Sequence, residues 1–379
     1  MAPMPARSCA LLLALFAVVS DCQLVSSASS SCSSSPRSSI TQRCVHTLVM
    51  YNRIPKTASS TLIWIMQERA RSANEPLSVL SDEAFDQKGA LNNQQRNAVL
   101  SVVARRVAMA LHEHGARDAT IVYEKHMRMI SPAAIERAVR DEMRVLARLM
   151  DGQDPENAFR ALAADCAIKV TYMNLVRDPV ERALSRYAWD RGGDRPQMIN
   201  AHYAAAARGE GVGDRRCPVC DSHTSASECL DRLTSVECTA SLSSEERLRR
   251  IIGWDERQFT FFCDATSRAS CTLSRARDNA ELFYSAVGVT ELWSDTLSHF
   301  TRAVPGGVFK WANATQLAWA NELAITPLGG DASPERATKV RKKRRDKLTK
   351  QQLGTLLSLL GRAEIEFYAF LVSRLPRSR

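Results

Sequence analysis

Apolar runs and amphipathic stretches alternate along the middle of this chain. Runs at 46–51, 119–123 and 167–176 contain Val, Ile and Thr, which favour buried β-strands. The segment Pro132–Met150 has apolar residues at three- and four-residue spacing, which predicts an amphipathic helix. Strands that alternate with helices predict an α/β fold with a central, mostly parallel sheet flanked by helices.

The same pattern predicts further elements outside this alternating region. Polar and Cys-rich composition makes 191–246 an insertion that we expect disulfides to brace. The remaining predictions are a helical region with a break around 76–89, strands at 257–263 and 286–290, a helix at 291–303, and one long closing helix at 351–375.

The N-terminal region predicts entry into the secretory pathway. A basic start, the apolar run Cys9–Ser20 and small residues after it are typical of a leader, assigned to 1–25. The leader is either a cleaved signal peptide or a retained signal anchor, which would make a single-pass type II membrane protein. A Ser-rich linker at 26–44 then precedes the folded domain, predicted at 45–375.

Cysteine usage agrees with an oxidising compartment, since the chain has 11 cysteines, most of them clustered in its second half. One alternative is zinc, because Cys217-x-x-Cys220 with His223 has ligand-like spacing. No second motif of that kind follows, so disulfides are favoured. The disulfide candidates are Cys229, Cys238, Cys263 and Cys271.

The formal net charge of +10 indicates an acidic partner, although solvation of the surface explains it equally well. Aromatic residues make up 6% of the chain, which argues against nucleic-acid bases as that partner. Asn313 begins an Asn-Ala-Thr sequon, so we expect it to be glycosylated and exposed in a secretory protein.

Polar residues follow three of the predicted strands, at 53–61, 124–126 and 177–185. In open α/β sheets, ligands bind beyond the carboxyl ends of the strands. The segment Thr57–Thr61 has small residues that open a helix, and Lys56 adds a cation, so this loop predicts an anion site. It lacks the glycines of a Walker A loop, and an ordinary capped helix start is the alternative.

Five blocks of sequence resemble the heparan sulfate and uronyl 2-O-sulfotransferases. These enzymes use 3′-phosphoadenosine 5′-phosphosulfate (PAPS) as donor. The blocks span most of the chain in the family's order. They are Tyr51–Thr57, Asn174–Arg182 with Ser185 and Tyr187, Phe261–Cys263 with Cys271, Val287–Glu291, and Glu364–Tyr368.

The resemblance implies a P-loop-NTPase-like sulfotransferase fold and gives roles to individual residues. Lys56 would contact the phosphosulfate and stabilise the leaving phosphate. Arg177 and Ser185 would bind the 3′-phosphate. The 5′-phosphate would be held by the loop residues Thr57, Ala58, Ser59, Ser60 and Thr61.

The resemblance also places a general base in the segment after the second predicted strand. His126 matches the second histidine of the family motif, while Glu124 stands where the first would be. Glu124 would then orient His126 or serve as an auxiliary base.

The acceptor side is matched less completely. Arg53, Arg195 and Arg341 correspond to basic positions of the family that would grip a glycan's carboxylates or sulfates, whereas Trp64 and Gln67 depart from its sugar-facing residues. The basic run 339–347 would follow a polyanion, close over the nucleotide, or form a solvated helix face.

The sequence therefore predicts a Golgi-lumenal carbohydrate sulfotransferase. It would transfer a sulfuryl group from PAPS to a hydroxyl of an anionic polysaccharide, at the 2-position of a uronic acid, without a metal. The family's members are oligomers, so the resemblance implies a homo-oligomer. A non-catalytic secreted glycan binder with the same fold is the alternative from another class, and a P-loop kinase is a weaker one.

Overall fold

Five parallel strands form one sheet at the centre of the protein. The computed structural model describes residues 44–72, 75–81, 93–114, 117–150, 166–192, 224–252, 257–264, 271–310 and 348–376. The strand order is β2-β3-β1-β4-β5, and every pairing is parallel, which confirms the predicted α/β class. The strands are β1 Cys44–Asn52, β2 Leu77–Ser81, β3 Ala119–Lys125, β4 Cys166–Val176 and β5 Tyr284–Val289.

Helices connect and cover these strands. The predicted helix Pro132–Met150 is present with those bounds. The helices of the described residues are α1 Ser59–Ser72, α2 Asn93–His114, α3 Pro132–Met150, α4 Pro179–Gly192, α5 Ala226–Leu233, α6 Val236–Ser241, α7 Ser244–Ile252, α8 Leu273–Phe283, α9 Trp293–Ala303, α10 Lys350–Leu360 and α11 Arg362–Arg374.

The two faces of the sheet bury different helices. Val49 and Tyr51 of β1 point to one face, where they belong to a core with residues of α1 and α9. Leu48 and Met50 point to the other face, which packs against α2, α3, α8 and α11. A third apolar cluster joins α4, α5, α7 and α10 beside the sheet. The chain therefore leaves β1 along one face, while β4 connects to β5 along the other.

Two predicted elements need correction, and one strand was not predicted. The segment 257–263 is not a strand but contains a 3₁₀ helix, Gln258–Phe262, whose aromatic rings pack against Phe367 and Tyr284. An unbroken apolar run does not by itself distinguish a strand from a buried turn. Short β2 occupies the predicted break at 76–89. The closing helix is two helices, because Gly361 adopts a φ of 83° between them.

Disulfides occur in the Cys-rich half and also where the sequence did not suggest one. Cys263 forms a disulfide with Cys271, and both were predicted to be disulfide-bonded. Cys229 and Cys238, the other two predicted candidates, are also disulfide-bonded. A further disulfide joins Cys44 to Cys166, which face each other in the β1–β4 register. Their separation of 122 residues hides the pair from sequence inspection. The described part of the insertion, 224–246, is mostly helical.

Several predictions lie outside the described residues. In the ranges that the structure describes, no helix combines the length and apolarity that crossing a bilayer requires. The folded domain begins by Cys44, the first residue of β1. The predictions outside the described residues are the leader 1–25, most of the linker 26–44, the zinc alternative at Cys217, Cys220 and His223, Arg195, Asn313, Arg341 and the whole basic run 339–347.

Candidate functional site

The carboxyl ends of β1, β3 and β4 lie side by side at one edge of the sheet. In the register, Asn52 stands opposite Lys125, and Tyr51 stands opposite Met173. The loops that follow these strands, 53–58, 126–131 and 177–178, therefore meet, as their positions after the strands predicted. In the strand order, β1 connects to β2 on one side of the β1–β4 pair and β4 connects to β5 on the other side. Such a divergence is a topological switch point, where α/β proteins bind ligands.

The loop between β1 and α1 has all of its carbonyl groups bound by the protein. Six consecutive carbonyl oxygens accept hydrogen bonds. Three of these oxygens are bound from within or beside the loop: Arg53 O by His126 Nδ1 at 3.1 Å, Ile54 O by Thr57 Oγ1 at 2.8 Å, and Ala58 O by Thr61 N at 3.1 Å. The other three are bound by residues that follow β4 and β5: Pro55 O by Arg182 Nε at 3.0 Å, Lys56 O by Arg177 Nη1 at 3.3 Å, and Thr57 O by Thr290 Oγ1 at 3.4 Å. The carbonyl oxygens of residues 53–58, which would repel an anion, therefore form hydrogen bonds within the protein.

Two residues of this loop have a left-handed backbone conformation. Lys56 and Ala58 adopt left-handed φ values of 66° and 58°, on either side of buried Thr57. Left-handed residues among right-handed ones form a concave nest of N–H groups, which binds anions. Immediately after it, α1 begins at Ser59, and the first N–H groups of a helix have no partner within the helix. A nest followed by a helix start is a backbone geometry that suits an anion.

The strained backbone allows a stability test of this geometry. A non-glycine residue in the left-handed region costs about 1 kcal/mol. Ala58→Gly is therefore expected to stabilise the protein by about 0.5–1 kcal/mol, measured as the free energy of unfolding in urea. The matched control, Ala138→Gly within α3, is expected to destabilise by a similar amount. A loss of stability in Ala58→Gly would show that residue 58 does not need the left-handed conformation.

Glu124 forms a partly buried ion pair with Arg53. Its Oε2 accepts a hydrogen bond from Arg53 Nη1 at 2.7 Å, and its Oε1 accepts one from Ser81 Oγ. The Glu124 side chain is 3% exposed and that of Arg53 is 19% exposed. Arg53 therefore has its charge balanced by Glu124.

His126 is joined directly to the loop that follows β1. Its Nδ1 lies 3.1 Å from the carbonyl oxygen of Arg53, and Arg53 N donates to Lys125 O at 2.7 Å. A carbonyl oxygen can only accept, so Nδ1 carries the proton in this hydrogen bond. In the neutral ring the lone pair is then on Nε2. This tautomer suits a general base that acts through Nε2.

Arg177 follows β4 directly and lies against the loop after β1. Besides the bond to Lys56 O, its guanidinium is 3.8 Å from Glu181 Oε2 and 3.9 Å from Glu291 Oε1. Asp178 caps α4 by accepting from Val180 N and Glu181 N, each at 3.0 Å. The side chain of Arg177 is 13% exposed, so it is a largely buried cation at the edge of the candidate site.

The acidic neighbour of Arg177 has an altered pKa. Partial burial raises the pKa of Glu291, while the N–H of Asp178, the charge of Arg177 and the hydroxyl of Tyr368 oppose that rise. Asp178 N donates to Glu291 Oε2 at 3.1 Å, and Tyr368 Oη donates to the same oxygen at 3.0 Å. Glu291 therefore connects the start of α4 to α11.

The remaining predicted site residues differ in burial and in role. Ser59 and Thr61 are buried in the first turn of α1, while Ser60 is exposed. The Thr57 hydroxyl donates to Ile54 O, so it braces the loop. Ser185 is half-buried on α4, two turns after Arg177. Arg195 and Arg341 lie outside the described residues, so Arg53 alone represents the predicted acceptor side.

Several residues of this site were not predicted as site residues. Arg182, Thr290 and Glu291 lie within the blocks that resemble the sulfotransferase family, so those blocks carried a signal for them. Arg182 is 2% exposed and binds Pro55 O, and Thr290 binds both Thr57 O and Val176 O. Gln258 lies outside these blocks, and its segment was predicted to be a strand, so nothing in the sequence pointed to it as a site residue.

One group of potential metal ligands occurs among the residues that the structure describes, at the opposite edge of the sheet. The ligand atoms of Cys44, His46 and Cys166 lie within 4.8 Å of one another, and all three residues are buried. The two sulfur atoms are joined in a disulfide, which removes the thiolates that a metal would need. No described residue of the candidate site belongs to this group.

His46 makes stability depend on pH. Burial lowers its pKa below 6.5, with Asp118 raising it and His114 lowering it further. Burial also lowers the pKa of His114 and of His299. As pH falls through about 6.5, the unfolded chain takes up protons that the folded protein does not, so stability falls.

The melting temperature is therefore expected to decrease from pH 7.5 to pH 5.5, and His46→Asn to weaken that decrease. Between pH 7.5 and 8.5 these histidines contribute no slope, which provides the internal control. A melting temperature that rises on acidification in both proteins would contradict the assignment.

Comparison with known proteins adds no relative. No family model matches the chain, and no curated protein matches it either.

Proposed function

We propose that this protein is a PAPS-dependent sulfotransferase with a P-loop-NTPase-like fold. It would transfer a sulfuryl group to a hydroxyl of an anionic polysaccharide, at the 2-position of a uronic acid. The observation that carries the proposal is the hydrogen bond from Arg177 to the carbonyl of Lys56. It joins a cation after β4 to the anion-binding loop after β1. Such a site suits a nucleotide with phosphates at both its 5′ and 3′ positions.

The geometry of the loop supports the donor half of this proposal. The nest and the start of α1 would hold the 5′-phosphate through backbone N–H groups, with the hydroxyls of Ser59, Ser60 and Thr61 nearby. Lys56 would neutralise the charge that develops on the departing phosphate oxygen. Arg177 would bind the 3′-phosphate with its planar guanidinium, and Ser185 would add a hydroxyl. The residues present therefore fit the nucleotide, and no metal is needed to supply positive charge.

His126 supports the transfer half of the proposal. Nε2 of its neutral ring would take the proton of the acceptor hydroxyl as the oxygen attacks sulfur. The new oxygen–sulfur bond would form while the bond from sulfur to the 5′-phosphate oxygen breaks. The products are a sulfated acceptor and adenosine 3′,5′-bisphosphate, with the proton on His126.

The acceptor rests on the sequence resemblance and on charge. Since Glu124 balances Arg53, recognition of carboxylates and sulfates would fall to other cations, of which Arg195 and Arg341 are the sequence candidates. A net charge of +10 is compatible with such an acceptor. Disulfides in the described domain support an oxidising compartment, and we propose the Golgi lumen.

The test is sulfuryl transfer by the purified full chain. With ³⁵S-labelled PAPS and a panel of heparan, chondroitin and algal-type polysaccharides, we expect label in at least one uronic-acid polymer. Disaccharide analysis of the product should locate the sulfate on a 2-hydroxyl. Label in none of the acceptors would contradict the proposed activity. Binding of the polysaccharides without transfer would instead identify a non-catalytic glycan binder.

A further inference from the structure

Gln258 grips the backbone of Arg177 with both ends of its side-chain amide. Its Oε1 accepts a hydrogen bond from Arg177 N at 2.9 Å, and its Nε2 donates to Arg177 O at 2.7 Å. Arg177 lies just beyond β4, where the ladder to β5 ends at Val176. Gln258 therefore replaces the neighbouring strand as the partner of this residue. The two bonds fix the peptide groups on both sides of the Arg177 side chain.

Gln258 is itself held from α11. Glu364, in the first turn of that helix, accepts hydrogen bonds from Gln258 N at 2.9 Å and from Phe259 N at 3.4 Å. Gln258 and Glu364 are each 1% exposed. Their hydrogen bonds are shielded from water, so the position of Gln258 depends on Glu364. The adjacent Arg257 Nε also donates to Leu360 O at 2.9 Å, which ties the same turn to the end of α10.

A second set of contacts connects α11 to Arg177. Tyr368 donates to Glu291, whose carboxylate accepts from Asp178 N and lies 3.9 Å from Arg177 Nε. The backbone and the guanidinium of Arg177 are thus held from two points on one helix, Glu364 and Tyr368. The loop at 56–58 is braced by other residues, since Thr57 Oγ1 donates to Ile54 O and Thr290 Oγ1 lies 3.4 Å from Thr57 O.

We infer that Gln258, held by Glu364, is the positioning residue that gives this site its preference for a 3′-phosphorylated nucleotide. The inference rests on the proposed function, in which Arg177 binds the 3′-phosphate. Gln258 would act without contacting the nucleotide. It would act by fixing the direction in which Arg177 leaves the backbone, while the 5′ end would be bound by the loop after β1, which Gln258 reaches through Arg177 alone in these hydrogen bonds.

The test compares two nucleotides that differ by the 3′-phosphate alone. Calorimetry on the full chain measures the dissociation constants of adenosine 3′,5′-bisphosphate and adenosine 5′-monophosphate. In Gln258→Leu we expect bisphosphate binding to weaken about tenfold and monophosphate binding to change less than twofold. Glu364→Gln, which keeps the shape and one acceptor, should lose part of the same preference. Gln351→Leu, at an exposed position of α10, is the control and should keep it.

The outcomes separate this inference from the proposed function. If the natural protein prefers the bisphosphate and both variants retain the full preference, the positioning role is wrong and the proposed function stands. If the variants bind both nucleotides more weakly by the same factor, the positioning role is also wrong, because a general structural defect would have that effect. If the natural protein binds neither nucleotide, the proposed function itself fails. Glu364→Gln keeps the test decisive should Gln258→Leu not fold.

Discussion

Replacing Lys56 with alanine is expected to lower kcat/KM for sulfuryl transfer about 10²- to 10³-fold, the usual cost of losing one group that stabilises developing charge. Lys56 lies between β1 and α1 with a φ of 66°, in the nest that we assign to the phosphosulfate. Alanine and lysine have the same difficulty in that conformation, so the substitution removes the ammonium group with little change in backbone preference. The measurement is transfer from labelled PAPS at several donor concentrations.

The controls for Lys56 separate charge from position. Lys310→Ala removes a lysine from an exposed site after α9 and should leave transfer unchanged. Lys56→Arg keeps the charge but replaces a compact ammonium with a planar group, so we expect partial activity. An alanine variant with the natural rate would show that the loop after β1 does not carry the leaving-group charge.

His126→Gln should lower kcat about 10²- to 10⁴-fold, because general-base catalysis contributes that much. Glutamine keeps a polar side chain that can bond to Arg53 O and removes the basic nitrogen. Binding of adenosine 3′,5′-bisphosphate should remain, since the nucleotide would be held by the loop, Arg177 and Ser185. The measurement is a pair of experiments on one preparation, single-turnover transfer and calorimetric binding.

His299→Asn is the control for His126, because it removes a half-buried histidine from α9, away from the strand ends. Transfer by His126→Gln at the natural rate would mean that another residue is the base. Glu124→Gln would then be the next variant to test. Its carboxylate is occupied by Arg53 and Ser81, so we expect that substitution to affect the loop more than the proton transfer.

The main elements of the fold could be predicted because their residues are buried on both faces. The runs that became β1, β3 and β4 are mostly apolar and mostly buried, and the helix Pro132–Met150 has distinct apolar and polar faces. Parallel strands bring their carboxyl ends to one edge, so the meeting of 53–61, 124–126 and 177 followed from topology. What the chain's local pattern determines was therefore predictable.

The parts that were missed depend on tertiary partners. Short β2 pairs on one side only, and its five residues give little pattern. Gln258 is positioned by Glu364, which is 106 residues away in the sequence. Cys44 forms its disulfide with Cys166 because the register of β1 and β4 places the two residues opposite each other. The hydrogen bonds from Arg53 and Ser81 to Glu124 were not predicted either. A contact between residues far apart in the chain cannot be predicted from the sequence around either residue.

The central claim is that the loop after β1 and Arg177 together bind a nucleotide phosphorylated at both ends. The most direct test is calorimetric titration of the full chain with adenosine 3′,5′-bisphosphate. We predict one bound nucleotide per chain, with affinity lowered at least tenfold in Lys56→Ala and in Arg177→Ala and unchanged in Lys310→Ala. Absence of binding at millimolar nucleotide, or equal binding in all four proteins, would contradict the account.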